Sequence, residues 1–445
     1  MVRLTPMVAG FTLAALLAGG AFAQQAMVTP APQTLAPPTL ADPLPATKAL
    51  FDSYVATGKT PGIVGAFGAG DRPTVFLAAG RVATDQGAAP AGPDSLWRVY
   101  SMTKPITAMA AMILIEDGKL SLDEPVSDIL PAFKTMRVQL NENTIESRPA
   151  VRPITIRNLL THTAGLGYTI ITKGPLLDYY NQKGINPAQV NAALEAVSRK
   201  TRPATLQEFA NVVASAPLIA DPGTKWSYSI GLDVMGAVIE KASGMSFDAF
   251  VQTRIFDPLK MRSSFWTVPQ SEIGRFATNY AFAPSGTMIA LDPAASSVYL
   301  SPPSFPYGGA GLVMSARDYD RFLHMLQNYG ELDGVRIMKT ETAKLAMSNL
   351  LPPGVVFGGL GAGTGGTMSQ QTGFGAGGSV TLLDMPNSMG VGTYSWGGAA
   401  GTIAWVNPVR RMRGTVMVNY FPGERWPLRA DTAKALQSDM ASYAR

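Results

Sequence analysis

Apolar and polar positions change their spacing several times along this chain. Thr47 to Tyr54 has the three-to-four spacing of a helix. Gly62 to Gly68 and Val75 to Gly80 follow as two strand-length apolar runs, punctuated by Pro, Gly and Asp as a hairpin requires. A short apolar run, Leu96 to Tyr100, gives way to a helical pattern from Pro105 to Glu116. Helical periodicity returns at Leu206 to Ser215 and Leu232 to Ala242, so the stretch from Ser101 to about Tyr299 reads as mainly helical. Within it, residues 168–200 and 262–305 are dense in polar, Pro and Gly positions and read as long irregular loops, a length that often carries function. Ala316 to Tyr329 reads as a helix with Ser315 as its N-cap. Val355 to Ser379 is rich in glycine, Thr402 to Asn407 and Gly414 to Asn419 are strand-like, and Thr432 to Tyr443 closes as an amphipathic helix. Strands at both ends with helices between them predict an α+β fold. Residues of about 47–120 and 306–445 would form the sheet-bearing part, with a mainly helical part at about 121–305 inserted between them.

The first residues follow a different rule. Arg3 precedes an apolar run from Met7 to about Leu17, and Ala21-Phe22-Ala23 fits the small-x-small cleavage pattern. Residues 1–23 therefore read as a cleavable export leader, placing the mature chain in a periplasm or outside the cell; the run is too short and too interrupted by glycine for an anchor. Residues 24–46, with Pro30, Pro32, Pro37, Pro38, Pro43 and Pro45, read as an extended spacer. The 445 residues, 46% of them hydrophobic, suffice for a large core, and with no cysteine that core must hold the fold without disulfides. The formal charge of +5 includes Arg3 in the leader, and no long basic run appears, which argues against nucleic acid as a partner. No later run of about 18 apolar residues predicts a membrane span.

Chemistry concentrates at Ser101-Met102-Thr103-Lys104, where the strand-like run meets the helix. Serine and lysine three apart on a helix share a face, roughly 5–6 Å apart at Cβ. Burial disfavours an ammonium, and a neutral amine can take the serine proton to make a nucleophile. The same tetrapeptide also suits a solvated helix turn. The alternatives to lysine as activator are few. Of two histidines, His324 lies in the helical Phe322-Leu323-His324-Met325-Leu326 and reads as a packing or surface residue. His162, in a Thr-His-Thr-Ala-Gly turn, reads as structural. There is no G-x-S-x-G elbow, no H-E-x-x-H or Cys/His metal spacing, and no G-x-x-x-x-G-K-[ST] in the glycine-rich stretch, so no metal or other cofactor is expected. A proton relay is still needed. Tyr228, after the Pro222-Gly223 turn and just before a helix starting near Gly231, is a candidate; packing at a helix start is the other reading.

These segments together resemble the serine β-lactamase/penicillin-binding-protein superfamily, and more narrowly the class C β-lactamases and the family VIII carboxylesterases on the same fold. S-x-x-K is that superfamily's signature. The resemblance spans roughly residues 47–440 and rests on ordered segments: Trp97 to Lys104, Glu116 to Val126, Ile154 to Leu166, Pro222 to Ser229, and Gly308-Gly309-Ala310-Gly311-Leu312 leading to Ser315-Ala316-Arg317-Asp318. It implies a β-lactamase/transpeptidase-like antiparallel sheet flanked by helices. It implies that Ser101 is acylated, that Lys104 is its base and that Tyr228 relays the proton. Trp396-Gly397-Gly398 resembles the W-x-G of family VIII esterases where β-lactamases carry K-T-G, on an edge strand beside the serine. Ala399 and Ser101 would then supply the oxyanion-hole N–H groups.

Two departures bear on substrate. No K-T-G occurs, so the cation that would hold a substrate carboxylate is missing at Trp396, and Ile230 stands where the superfamily's Y-x-N has its Asn. Tyr179-Tyr180-Asn181 does spell Y-x-N, but it lies in the irregular 168–200 stretch without the Pro-Gly lead-in and reads as chance. Both replacements are apolar, which predicts a small neutral ester as substrate. A β-lactam or D-Ala-D-Ala peptide, acyl transfer to an alcohol or amine, and a non-catalytic binding module on the same fold remain the alternatives at this level.

Overall fold

Ile63 and Phe67 pack into one apolar cluster and Val64 and Ala66 into another, and this alternation organises the fold around a single strand. In the computed structural model, residues 44–359, 371–384 and 388–443 are described. The expected leader at 1–23, most of the 24–46 spacer and the centre of the glycine-rich stretch lie outside the described residues. Helix α1 (Pro45–Ala56) leads into β1 (Gly62–Ala69) and β2 (Val75–Gly80). After them come α2 (Thr103–Glu116), α3 (Gly231–Ser243) and α4 (Ala316–Gln327). The chain then supplies β3 (Thr372–Phe374), β4 (Ser379–Thr381), β5 (Tyr394–Gly397), β6 (Ile403–Asn407), β7 (Met412–Met417) and finally α5 (Leu428–Tyr443).

The seven strands form one antiparallel sheet in the order β3-β4-β5-β6-β7-β1-β2. N-terminal strands thus pair directly with C-terminal ones, Val64 opposite Met417. Phe51 and Tyr54 of α1 and Leu428 and Leu436 of α5 share the cluster of Ile63, Phe67, Ile403 and Trp405 on one face. The other face, with Val64, Ala66, Trp396, Ala404 and Val406, meets α2, α4 and the helical part in the main core. This is the antiparallel sheet between helical layers expected of an α+β, β-lactamase/transpeptidase-like fold.

Several sequence expectations need correction. α1 begins at Pro45, two residues before Thr47, because a proline suits the first helical turn, whose N–H has no partner anyway. Residues 168–200 are not irregular: they hold helices Gly174–Gln182, started by a proline, and Ala192–Ser198, capped by Asn191, which bury too few residues to show an apolar stripe. The 262–305 stretch holds Asn279–Phe282 paired antiparallel with Met288–Asp292 as a short hairpin and parallel with Tyr420–Phe421, the latter a partner too distant in sequence for local spacing to reveal. β5 is third of the seven strands rather than an edge strand. Its last two residues, Trp396 and Gly397, nevertheless run past β4, whose pairing ends at Ser395 and Tyr394, and bond only to Ala404 and Ile403 of β6 among the described residues.

Candidate active site

The strand Leu96–Arg98 delivers the chain to Ser101 through a bent turn. Arg98 is fully buried, and its guanidinium binds the Asp292 carboxylate at 2.6 Å together with Ser297 Oγ and the Ala277 carbonyl. Val99 N–H donates to Leu312 O, and Asn419 Oδ1 accepts from Arg98 N–H. Tyr100 then takes a left-handed φ of 41°, an unfavourable conformation for a bulky residue. It is held there by Asn279 Nδ2, which donates to its Oη, and by an edge contact with the Phe421 ring at 5.3 Å. The next residues form one tight turn, Tyr100–Met102, which runs straight into α2. A strained strand-to-helix turn thus presents Ser101, half-buried, at the start of a helix that is itself almost wholly buried.

Lys104 and Tyr228 both reach Ser101. Tyr228 Oη donates to Ser101 Oγ at 2.7 Å, and Lys104 Nζ donates to it at 3.2 Å. Lys104 is fully buried, and its Nζ also contacts the Gly309 carbonyl at 2.8 Å and Tyr168 Oη at 3.4 Å. Its Nζ also lies 4.6 Å from the centre of the Tyr228 ring. The segment carrying Tyr228 is tied to the 162–167 turn: Ser227 N–H donates to His162 O and Ile230 N–H to Gly167 O. Tyr228 is wedged among the rings of Tyr168, His162 and Trp396, at 5.0, 4.8 and 5.6 Å.

His162 makes no hydrogen bond to Ser101. Its Nδ1 pairs with Ser229 Oγ at 2.9 Å, its ring packs on Tyr228 and Phe374, and burial and then the Lys104 charge push its imidazolium well below the ordinary range. It is a neutral wall behind the tyrosine. His324 sits on α4, its pKa lowered to about 4 mainly by burial. Ile230 is fully buried in the main core. Tyr180 of the Y-x-N look-alike lies on the Gly174–Gln182 helix, not in a loop, and its Oη accepts from Gly167 N–H.

Trp396-Gly397-Gly398 closes the other side. Trp396 is buried against Tyr228 and Phe374. A Cβ on Gly398 would stand 2.3 Å from Val99 O, so only glycine lets this turn approach the strand that carries the nucleophile. Gly398 N–H donates to Thr402 O and Gly401 N–H to Gly398 O, which leaves the exposed Ala399 at the tip. Neither Ala399 N–H nor Ser101 N–H has an acceptor among the described residues, as two donors waiting for an oxyanion require. On the Gly397 side of β5, Arg429 Nη2 lies 2.6 Å from where a Cβ would be; the Trp396 side carries no such cation among these contacts.

Sequence reasoning missed Tyr168, the Gly309 carbonyl and Asp233. Tyr168 opened a stretch taken for a loop, and a carbonyl leaves no mark in a sequence. Asp233 had a visible signal: it is the one acid in the otherwise apolar run Gly231 to Ile239. Its carboxylate is fully buried, with Oδ1 accepting from Gly309 N–H at 2.9 Å and Oδ2 without a partner. Burial raises it to about 7, against the opposing pull of Lys104 and of the Gly309 hydrogen bond.

The chain is similar to several known proteins. Esterase EstB of Burkholderia gladioli is 34% identical over 328 residues, covering 69% of this chain and 73% of its own. The lovastatin esterase of Penicillium rubens is 30% identical, covering 70% and 76%. Among solved structures, EstCE1, a hydrolase with promiscuous acyltransferase activity, superposes with a TM-score of 0.69 at 26% identity, covering 88% of this chain and 97% of its own. The sequence profile described as Beta-lactamase matches residues 47–438, and the chain belongs to that family.

Proposed function

We propose that this protein is an exported serine carboxylesterase that hydrolyses small neutral esters through an acyl-serine intermediate. The observation that carries the reading is the convergence of Lys104 Nζ and Tyr228 Oη on Ser101 Oγ, at 3.2 and 2.7 Å. In the first step Lys104, acting as the unprotonated amine, takes the Ser101 hydroxyl proton, directly or through Tyr228, as Oγ bonds to the ester carbonyl carbon. The negative charge on the carbonyl oxygen is received by the Ser101 and Ala399 N–H groups. The C–O bond to the alcohol breaks, and Tyr228 returns the proton to the leaving oxygen. Water then attacks the acyl-serine with the same groups in the same roles, releasing the acid and restoring the Ser101 hydroxyl. Nothing in these steps calls for a cofactor.

The apolar, buried Trp396 where a cation would hold a substrate carboxylate supports a neutral ester. Export through a leader at 1–23 rests on the sequence pattern alone, and the N-terminal residue of protein secreted from a bacterial host tests it. Acyl transfer is a second reading, favoured by the acyltransferase activity attributed to EstCE1 and by the acyltransferase calJ of Penicillium decumbens, 28% identical. Hydrolysis rates over an acyl-chain series of p-nitrophenyl esters, run beside nitrocefin and repeated with an added alcohol, test both. Ester turnover that exceeds nitrocefin turnover and yields free acid supports the esterase. Preferential nitrocefin cleavage sinks it, and a dominant new ester in the presence of alcohol selects the transferase.

A further inference from the structure

The acylation chemistry leaves one feature of the site unused: the buried carboxylate behind the lysine. Lys104 Nζ donates to the Gly309 carbonyl at 2.8 Å, and the N–H of the same residue donates to Asp233 Oδ1 at 2.9 Å. One glycine therefore joins the amine of α2 to the carboxylate of α3. The junction is tight. A Cβ on Gly309 would stand 2.3 Å from Asp233 Oδ2, so a side chain there would force the carboxylate away. Lys104 and Asp233 are both without solvent exposure. An isolated buried charge is costly, and such groups persist when an opposite charge faces them. Asp233 lies in the first turn of α3, where the helix dipole favours an anion.

The neighbours that face Asp233 do not supply a competing negative charge. From α2 comes Lys104; from the segment after the 162–167 turn comes Tyr168; from the loop before Val313 comes Tyr307. Both tyrosines are held neutral, pushed up first by burial. Beyond Lys104 stand the Tyr228 ring and the neutral His162.

We propose that Asp233 is a positioning residue for the Ser101–Lys104 pair: through Gly309 it fixes the Lys104 amine, and it supplies the buried negative charge that balances the proton Lys104 takes up. When the Ser101 proton enters the cluster during acylation, Asp233 is the counter-charge that makes its arrival favourable. No bond to the substrate is involved. Once Asp233 takes up a proton of its own, that counter-charge is gone. The upward shift of this carboxylate to about 7 then places the loss of activity near neutrality on the acidic side.

The proposal rests on Ser101 acting as nucleophile, and its test separates the two. The rate at which an alkyl fluorophosphonate labels Ser101 is measured from pH 5.5 to 8.5 in the wild type and in Asp233→Asn. The variant keeps an acceptor for Gly309 N–H but carries no charge. The expected result is a wild-type rate that falls on the acidic side with a midpoint near pH 7, and a variant at least about tenfold slower whose rate no longer shows that limb. A limb that stays in place in the variant overturns the proposal, whatever the rate. Absence of labelling in the wild type itself overturns the nucleophile instead. If Asp233→Asn does not fold, the wild-type profile decides: a midpoint near neutrality supports the proposal, and a level rate across the range overturns it.

Discussion

Tyr228 Oη and Ser101 Oγ stand 2.7 Å apart although 127 residues separate them in the chain, and the tyrosine has little freedom to move away. Rings of Tyr168, His162 and Trp396 close around it, and the backbone on both sides is bonded to the 162–167 turn. A phenol oxygen held on the nucleophile is a proton relay by position. Replacing Tyr228 with Phe keeps the ring packing and removes only the oxygen. Turnover should fall roughly 10²–10⁴-fold, as for the loss of a general acid–base, with KM little changed. Steady-state kinetics with the best p-nitrophenyl ester checks this; a variant with near wild-type kcat excludes the relay.

The turn at Gly398 predicts a sharper steric effect. Gly398→Ala sets a methyl against Val99 O, so the Ala399 amide must move away from the nucleophile turn. The loss of one well-aimed oxyanion donor costs roughly 10²-fold or more in kcat. Because the damage is to the transition state, KM should change less than kcat, and an unchanged kcat would place the oxyanion hole elsewhere.

Arg98 and Asp292 make a different kind of prediction, about the platform under the site. Both are buried, and their 2.6 Å pair is backed by Ser297 and the Ala277 carbonyl. Asp292→Ala leaves the guanidinium buried and uncompensated, which should destabilise the fold by about 3–5 kcal/mol. Urea denaturation followed by circular dichroism measures it. A loss below about 1 kcal/mol would mean that the ion pair is dispensable for the nucleophile strand.

Asp233 also links stability to pH. Its carboxyl is raised from the ordinary 3.8 to about 7 in the fold, chiefly by burial. Between those values the folded chain holds a proton that the unfolded chain has released, so this group's effect on stability declines as pH rises from about 4 to about 7 and is level above. The full effect is on the order of 4 kcal/mol. Asp233→Asn removes the group, so the melting temperature of the variant should gain on the wild type between pH 5 and pH 8. A difference that stays constant across that range contradicts the shift.

How much of this was legible in the sequence depends on how local each feature is. The Ser101–Lys104 spacing lies within one helical turn, and the Ser315 cap of α4 is set by its immediate neighbours, its Oγ accepting from Asp318 N–H. Tyr228 was found through the Pro-Gly turn ahead of it. The helices at 174–182 and 192–198 escaped because they bury few residues, Leu176 and Tyr180 in the first and Glu195 alone in the second, and so show no apolar stripe. The strand Asn279–Phe282 escaped because one partner, Tyr420–Phe421, is far along the chain. Tyr168 and the Gly309 carbonyl reach Lys104 only through tertiary packing. Their roles follow from where the 162–168 and 306–312 segments cross α2, which no local pattern encodes.

The central claim is that Ser101 carries the acyl group. Its most direct test is mass spectrometry of protein quenched during turnover of a slowly released p-nitrophenyl ester, with the modified peptide sequenced. The account predicts an acyl adduct on Ser101 in the wild type, and none in a folded Ser101→Ala variant that has lost hydrolysis. Hydrolysis by the wild type with the acyl group on another residue, or undiminished turnover by Ser101→Ala, would contradict it.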